Sequence, residues 1–291
     1  MRILFVTSNR IGDAVLSTGL LDHLLKTYPK ARFTIACGPV AEGLFARMPQ
    51  RDVTIVMEKQ SYCRHWLPLW TATVGVVWDL VVDIRASAIS YLVPTRRRAV
   101  MRKSVGHKTV QLARLLKLDP PPLPVVWTSP EDRAVAFRQL PSGGPIVALG
   151  PTANWNGKVW PAENFAVLFH ALQAGPLPGA RAAIFAGPGP QEAALAAPLL
   201  AALPGAINLT GKLDLPQVAA CLARCALFVG NDSGLMHMAA ASGAPTLGLF
   251  GPTPAAEYAP TGRCAAAVLS PTADMQDLTV EAAYQAALML L

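Results

Sequence analysis

The feature that most constrains this chain is an alternation that runs through it twice. Short apolar, β-branched runs are each followed by a stretch with helical spacing. That is the pattern of βαβ units, which build parallel sheets with helices on both faces. Arg2 to Ser8 predicts the first strand, Asn9 to Asp13 a loop, and Ala14 to Tyr28 a helix. Its apolar stripe is Leu16, Leu20, Leu21, Leu24 and Leu25. Strands are predicted at Arg32 to Cys37 and Val53 to Met57, with a short helix at Glu42 to Met48 between them. Leu80 to Ile84 is nearly all apolar, as a central parallel strand would be. Ala99 to Val105 and Thr109 to Lys117 predict a further strand and helix.

Punctuation follows. Asp119-Pro120-Pro121-Pro122-Leu123-Pro124 is extended and stiff, and Pro141-Ser142-Gly143-Gly144-Pro145 is a second break. The alternation then restarts, with strands at Ile146 to Leu149, Ala182 to Ala186, Ile207 to Leu209, Ala226 to Val229, Thr246 to Phe250 and Ala265 to Leu269. Helices are predicted at Ala162 to Gln173, Gln191 to Leu203, Leu215 to Arg224 and Leu235 to Ser242. Asp277 or Thr279 is expected to cap a last helix through Leu291. The 291 residues therefore divide into two α/β domains, 1–143 and 144–291. Ligands of open parallel sheets bind beyond the carboxyl ends of the strands. The polar loops there, and a cleft between two such domains, are where the chemistry is expected.

Charge separates the halves. Residues 1–143 carry 20 Lys and Arg against 10 Asp and Glu, a net of +10; the remainder carries 5 against 8, a net of −3. Arg85 to Lys117 holds nine basic residues and no acid: Arg85, Arg96, Arg97, Arg98, Arg102, Lys103, Lys108, Arg114 and Lys117. Such a stretch is either a solvated surface or an attractor of polyanions, such as a phosphorylated glycolipid, anionic lipid headgroups or nucleic acid. The contrast between halves suggests two domains with different ligands.

Several classes are excluded. The longest uncharged run, Ser233 to Ala256, is broken by four Gly and three Pro, so it holds no unbroken spanning helix, and the chain is expected to be soluble. The first apolar run, Ile3 to Val6, is too short for a secretory leader. The five cysteines include no CxxC pair and read as ordinary thiols of a reducing cytoplasm. Neither GxxxxGK[ST] nor a DxD pair occurs, and the histidines are dispersed, so no metal cluster or other cofactor is expected.

Three constellations carry chemistry. In Asn9-Arg10-Ile11-Gly12-Asp13, Gly12 permits a tight turn or close ligand approach. Asp13 is either the N-cap of the first helix or a carboxylate facing the cleft as a general base. Gly150 to Pro161 crowds Thr152, Asn154, Trp155, Asn156, Lys158 and Trp160 into one loop. Lys158 is one of five basic residues after Gly143 and suits a phosphate, or it is a surface lysine, with Trp160-Pro161 packing at the start of the next helix. The strongest is Leu227-Phe228-Val229-Gly230-Asn231-Asp232-Ser233-Gly234-Leu235-Met236-His237, a strand, a polar turn and a helix start. Backbone N–H groups there form an anion site. Asp232 alone reads as an N-cap and His237 alone as a half-buried histidine; together with Ser233 and Gly234 they point to a phosphate cradle.

Ile11-Gly12-Asp13, Lys158-Val159-Trp160-Pro161, Leu209 to Leu215, Val229 to His237 and Leu249-Phe250-Gly251-Pro252-Thr253 together resemble glycosyltransferase family 9, the heptosyltransferases of lipopolysaccharide inner-core assembly. The resemblance covers nearly the whole chain in order. It implies a GT-B fold, two Rossmann-like doubly wound domains facing a cleft, with the last helix often crossing back to the first domain. It implies inverting, metal-independent transfer of a heptose from an ADP-sugar. Asp13 would deprotonate the acceptor. Thr152, Asn154, Lys158, Asp232, Ser233, Gly234 and His237 would bind the donor. Gly12, Arg85, Arg96 and Arg97 would hold an anionic glycolipid acceptor in the basic half. The expected setting is the cytoplasm, with peripheral contact on the inner membrane and no nucleic-acid partner. Two other readings stay open at this point: a sugar-nucleotide epimerase or hydrolase on the same scaffold, and a non-catalytic nucleotide- or glycolipid-binding protein.

Overall fold

The computed structural model describes residues 1–58, 61 and 64–291. Two compact units divide between Trp127 and Thr128. The first holds a five-stranded parallel sheet, β1 (Arg2–Val6), β2 (Arg32–Cys37), β3 (Arg51–Val56), β4 (Leu80–Asp83) and β5 (Arg98–Val100), in the order β3-β2-β1-β4-β5. β1 is central, with Ile3 opposite Phe33 of β2 on one side and Leu80 of β4 on the other. Ile3, Leu4, Phe5 and Val6 are fully buried, which is why that run is apolar without alternation. Leu4, Val6 and Val81 pack one face against Leu69 of α2 (Trp66–Thr73) and Ile89 of α3 (Ile89–Leu92). α1 (Ile11–Thr27) packs with α4 (Lys108–Ala113) and with a 3-10 turn at Pro39–Phe45.

The proline-rich stretch belongs to this unit. A Cβ on Gly19 of α1 would lie 2.6 Å from the Pro122 carbonyl, so the glycine is what lets the stretch lie against the helix. Val125 N–H then donates to Thr18 Oγ1 at 2.9 Å. β5 is shorter than predicted. After Val100 the exposed Arg102 and Lys103 leave the sheet, at the edge where charged residues are favoured over further pairing.

The second unit holds six parallel strands: β6 (Ile146–Gly150), β7 (Arg181–Ile184), β8 (Ile207–Asn208), β9 (Leu227–Asn231), β10 (Thr246–Phe250) and β11 (Ala265–Leu269). Their order is β11-β10-β9-β6-β7-β8. Val147, Leu149, Ile184, Val229 and Leu249 form one core with α6 (Ala162–Ala174), α7 (Pro190–Ala202) and α11 (Val280–Leu288). α5 (Pro130–Gln139), α8 (Leu215–Leu222) and α9 (Gly234–Ala241) pack in succession, and α9 lies on β9 and β10. α10 (Ala255–Tyr258) is a single turn.

Two expectations are corrected here. The unit boundary falls before α5, not at Gly143. Ser129 starts α5 with a capping box, and Arg224 stacks its guanidinium 3.6 Å from the Phe137 ring centroid while donating to the Leu140 carbonyl. The Pro-Ser-Gly-Gly-Pro break is an internal loop of the second unit, because turn chemistry is the same whether it joins elements or domains. The last helix buries Ala283 and Ala287 in the core of the second unit, and its cap is Thr279, which accepts from Ala282 N–H. Helices α2, α3, α5 and α10 are additional to the sequence reading. Among the described residues no helix is long and apolar enough to cross a membrane. Cys37, Cys221 and Cys225 are buried free thiols and Cys264 is partly buried; Cys63 lies outside the described residues.

Candidate functional site

Each sheet has one point where the strand order reverses, and ligands of such sheets lie in the crevice there. In the second unit it falls between β6 and β9. Gly150 and Gly230 are register partners at the ends of these strands. A Cβ on Gly230 would sit 2.6 Å from the Phe228 ring, so the close packing under the crevice requires glycine. Next along β9, Asn231 is fully buried and clasps both ends of the loop after β6. Its Nδ2 donates to the Pro151 carbonyl at 2.8 Å, and its Oδ1 accepts from Trp160 N–H at 3.1 Å.

Trp160 is core. Its indole N–H donates to the Leu278 carbonyl at 2.8 Å, and its ring meets Phe165 edge-on at 5.0 Å. With Pro161 at the N-cap of α6, that is a hydrophobic staple fixing how the chain enters the helix. A loop pinned at both ends has a short turn left to project, and Lys158 stands on it. Its ammonium lies 2.6 Å from Asp232 Oδ2. Asp232 is therefore not a cap; it is a nearly buried carboxylate whose partner comes from the loop after the neighbouring strand.

The N-cap of α9 is Ser233, in extended conformation, and its hydroxyl makes no capping bond. Ser233 Oγ is buried without a hydrogen-bond partner among the described residues. The N–H groups in the first turn, Gly234 onward, have no intrahelical acceptor, and the helix dipole adds partial positive charge. Lys158, a hydroxyl and these amides thus converge on one edge, the composition of an anion site. His237, one turn into α9, is buried, and Thr152 is buried beside the loop start, whereas Asn154 is exposed.

In the first unit the order reverses between β1 and β4. α1 begins earlier than predicted, since the Arg10 carbonyl already accepts from Ala14 N–H at 3.0 Å. Gly12 and Asp13 are helical, so Gly12 makes no turn and Asp13 is not the cap. Asp13 sits third in the helix, half-buried, with the Ser8 hydroxyl donating to its Oδ2 at 3.4 Å. Across the crevice, Arg85 Nη1 donates to Asn9 Oδ1 at 3.0 Å, and its guanidinium lies 4.9 Å from the Trp66 ring centroid. Asn9 in turn sits against Gly38, whose Cβ would come within 2.7 Å of it. Asp83, fully buried at the end of β4, holds the turn by accepting from the N–H groups of Arg85 and Ser87, each at 2.8 Å. Burial pulls the Arg85 pKa below its usual value, and the nearby Asp83 charge opposes that shift.

Arg96 and Arg97 are not part of this cluster. They precede β5, at the amino end of the sheet, where Arg96 pairs with Asp79 at 3.2 Å. The four residues of β4 put roughly 13 Å between that edge and the end carrying Arg85. Sequence reasoning placed Asn9 and Asn231 within its motifs without giving them a role, and missed Trp66 and Asp83. The spacing Asp83-x-Arg85-x-Ser87 directly after an apolar run was the available signal for a side-chain-bonded turn. Among the described residues no group of three or more His, Cys, Asp or Glu is placed to hold a metal ion.

The family model of glycosyltransferase family 9 (heptosyltransferase) matches residues 78–287. This chain belongs to that family. The family 9 assignment makes it a glycosyltransferase of the heptosyltransferase type. It is 25% identical to lipopolysaccharide heptosyltransferase 2 of Salmonella typhimurium over 295 residues, covering 87% of this chain and 83% of the relative. Among solved structures, a family 9 glycosyltransferase from Veillonella parvula superposes with a TM-score of 0.81 at 21% identity, covering 99% and 96% of the two chains. An Escherichia coli heptosyltransferase bound to ADP gives 0.77 at 18% identity, covering 98% of each. These structures share the two-domain GT-B architecture.

Proposed function

We propose that this family 9 enzyme moves a heptose, or a related sugar, from an ADP-linked donor to an anionic lipopolysaccharide inner-core acceptor. The transfer inverts the anomeric centre, needs no metal ion, and takes place on the cytoplasmic face of the inner membrane, which the enzyme contacts peripherally. The observation that carries the reading is the Lys158–Asp232 pair beside the uncapped start of α9. A leaving diphosphate gains negative charge as the glycosidic bond breaks. A fixed ammonium and fixed amide dipoles stabilise that charge without reorganising. The relatives named for heptosyl transfer, and the one solved with ADP, support the donor class.

The step is one displacement. An acceptor hydroxyl oxygen attacks the anomeric carbon, its proton passes to the Asp13 carboxylate, and the carbon–oxygen bond to ADP breaks with the electron pair leaving on the diphosphate. Lys158, Ser233 Oγ and the first amides of α9 take the diphosphate, with Thr152, Asn154, Asp232 and His237 around the donor. Arg85 and Gly12 lie on the acceptor side, in the basic half of the chain. The test is incubation of the purified chain with ADP-heptose and a heptose-deficient inner-core acceptor in the presence of EDTA. The expected result is ADP release matched by a single heptosyl mass gain on the acceptor. ADP release without that gain, or a preference for UDP-sugars, overturns the reading.

A further inference from the structure

The outer surface of α2 and α3 is apolar where a protein surface is usually charged. Leu67 and Trp70 lie one turn apart on α2 at 60% and 36% exposure; Tyr91 and Leu92 on α3 are at 64% and 58%. The Trp70 indole N–H donates to the Leu92 carbonyl at 3.2 Å, which joins the two helices and makes these side chains one patch. From Trp66 to Trp78 the sequence carries no charge. Arg98 lies 5.7 Å from the Tyr91 ring centroid, and Arg64, Arg96 and Arg97, each exposed, flank the two helices in sequence. Between Glu58 and Asp119 the sequence holds two acids. Asp79 is paired with Arg96 and Asp83 is buried in its turn.

We propose that this α2–α3 face is the surface by which the chain docks on an anionic lipid bilayer. Two exposed leucines, a tryptophan and a tyrosine with polar edges, and a margin of arginines suit the interfacial layer. Aromatic rings sit at headgroup level there, aliphatic tips reach the acyl boundary, and basic side chains meet anionic lipid. A second copy of the chain suits it less, because a twofold contact would set the four arginines against their own images. The inference rests on the membrane contact proposed above, and it places that contact on named residues.

The test is co-flotation of the full chain with phosphatidylglycerol–phosphatidylcholine vesicles and with phosphatidylcholine vesicles. The expected result is salt-sensitive binding to the anionic vesicles, weakened on the order of tenfold per leucine in Leu67→Gln and Leu92→Gln. Tryptophan emission should shift to the blue on binding, and Trp70→Phe should lose that shift. Sugar transfer to a deacylated, water-soluble acceptor should be unchanged in both glutamine variants. Vesicle binding indifferent to these substitutions overturns the surface. So does a concentration-dependent dimer that Leu67→Gln abolishes. A chain that binds vesicles through the patch but transfers no sugar overturns the proposed reaction and leaves the surface standing. A chain that transfers sugar but ignores vesicles does the reverse.

Discussion

Lys158 and Asp232 lie 74 positions apart in sequence and 2.6 Å apart in space, because β6 and β9 are neighbours at the point where the second sheet reverses its order. The pair sets a lysine beside the start of α9 without leaving it free to be neutralised elsewhere. Lys158→Met should lower kcat by roughly 10²–10³, the usual loss when a donor to developing charge is removed. It should also destabilise the fold by about 1–3 kcal/mol, because Asp232 is then buried without its cation. Asp232→Asn keeps the side-chain shape and should recover stability better than activity. Steady-state kinetics and thermal unfolding of the two variants separate these effects.

Asn231 gives a prediction about position, not contact with substrate. Its amide holds Pro151 and Trp160 from below, so Asn231→Ala should release both ends of the loop that carries Lys158. Two buried backbone groups then lose their partner, at roughly 1–3 kcal/mol each. The donor KM should rise together with a fall in kcat, since a misplaced lysine affects both binding and the transition state. Asn231→Asp cannot donate to the Pro151 carbonyl and should behave like the alanine variant. A normal donor KM in either variant contradicts the clasp.

These residues show what was legible in the sequence. β1, β4, β6, β9 and β10 were readable because a strand covered on both faces has to be apolar throughout, and the turn at Asp232–Gly234 because its glycine and small polar residues have few other uses. Asn231 was not readable. A buried asparagine at a strand end looks like a loop residue until the carbonyl it holds is known, and that carbonyl is 80 positions away. α2 was hidden for a related reason: Trp66 to Thr73 lacks a polar face, so it shows no helical period. Asp13 and Asp232 both looked like caps, since Asp before a helix is usually one. The structure starts α1 three residues earlier, and turns Asp232 toward a lysine that no local pattern connects to it.

Asp13→Asn tests the first unit. As the proposed general base, Asp13 should contribute about 10²–10⁴ to turnover. ADP affinity should be retained, because the substitution lies outside the unit proposed to bind the donor. As the third residue of α1, it supplies a dipole contact and no capping bond, so stability should fall by less than about 1 kcal/mol. Single-turnover transfer, ADP binding by calorimetry and thermal unfolding give the three readings. Parallel losses in all of them would indicate a structural role.

Arg85 and Arg96 have similar chemistry and opposite positions. Arg85 combines a single Nη1 hydrogen bond to Asn9 with stacking of its planar guanidinium on Trp66, and a lysine ammonium does not reproduce the two together. Arg85→Lys should raise the acceptor KM while leaving the donor KM alone. Arg96→Gln removes an exposed pair with Asp79 at the far edge of the same sheet, worth no more than about 1 kcal/mol. Its acceptor KM should match the parent. An acceptor KM raised by Arg96→Gln and not by Arg85→Lys would move the acceptor to the amino end of the sheet.

The thiols carry a pH signature. Burial raises Cys37 to about 12 and Cys221 to about 11, and pushes Cys225 up as well, in each case by stripping water from the thiolate. The reactive species is the thiolate, so these three should resist a disulfide reagent at pH 8 in the native chain and react once it is unfolded. In the unfolded chain the same thiols ionise near the ordinary value of 9.0. Their contribution to stability is therefore complete below pH 9. It is lost progressively as pH rises, because the unfolded state releases protons that the folded state keeps. Denaturant midpoints should fall between pH 9 and pH 11, and replacing Cys37 with Ala should make that fall shallower. Fast native labelling of Cys37 at pH 8, read by peptide mass, would contradict its burial at the end of β2.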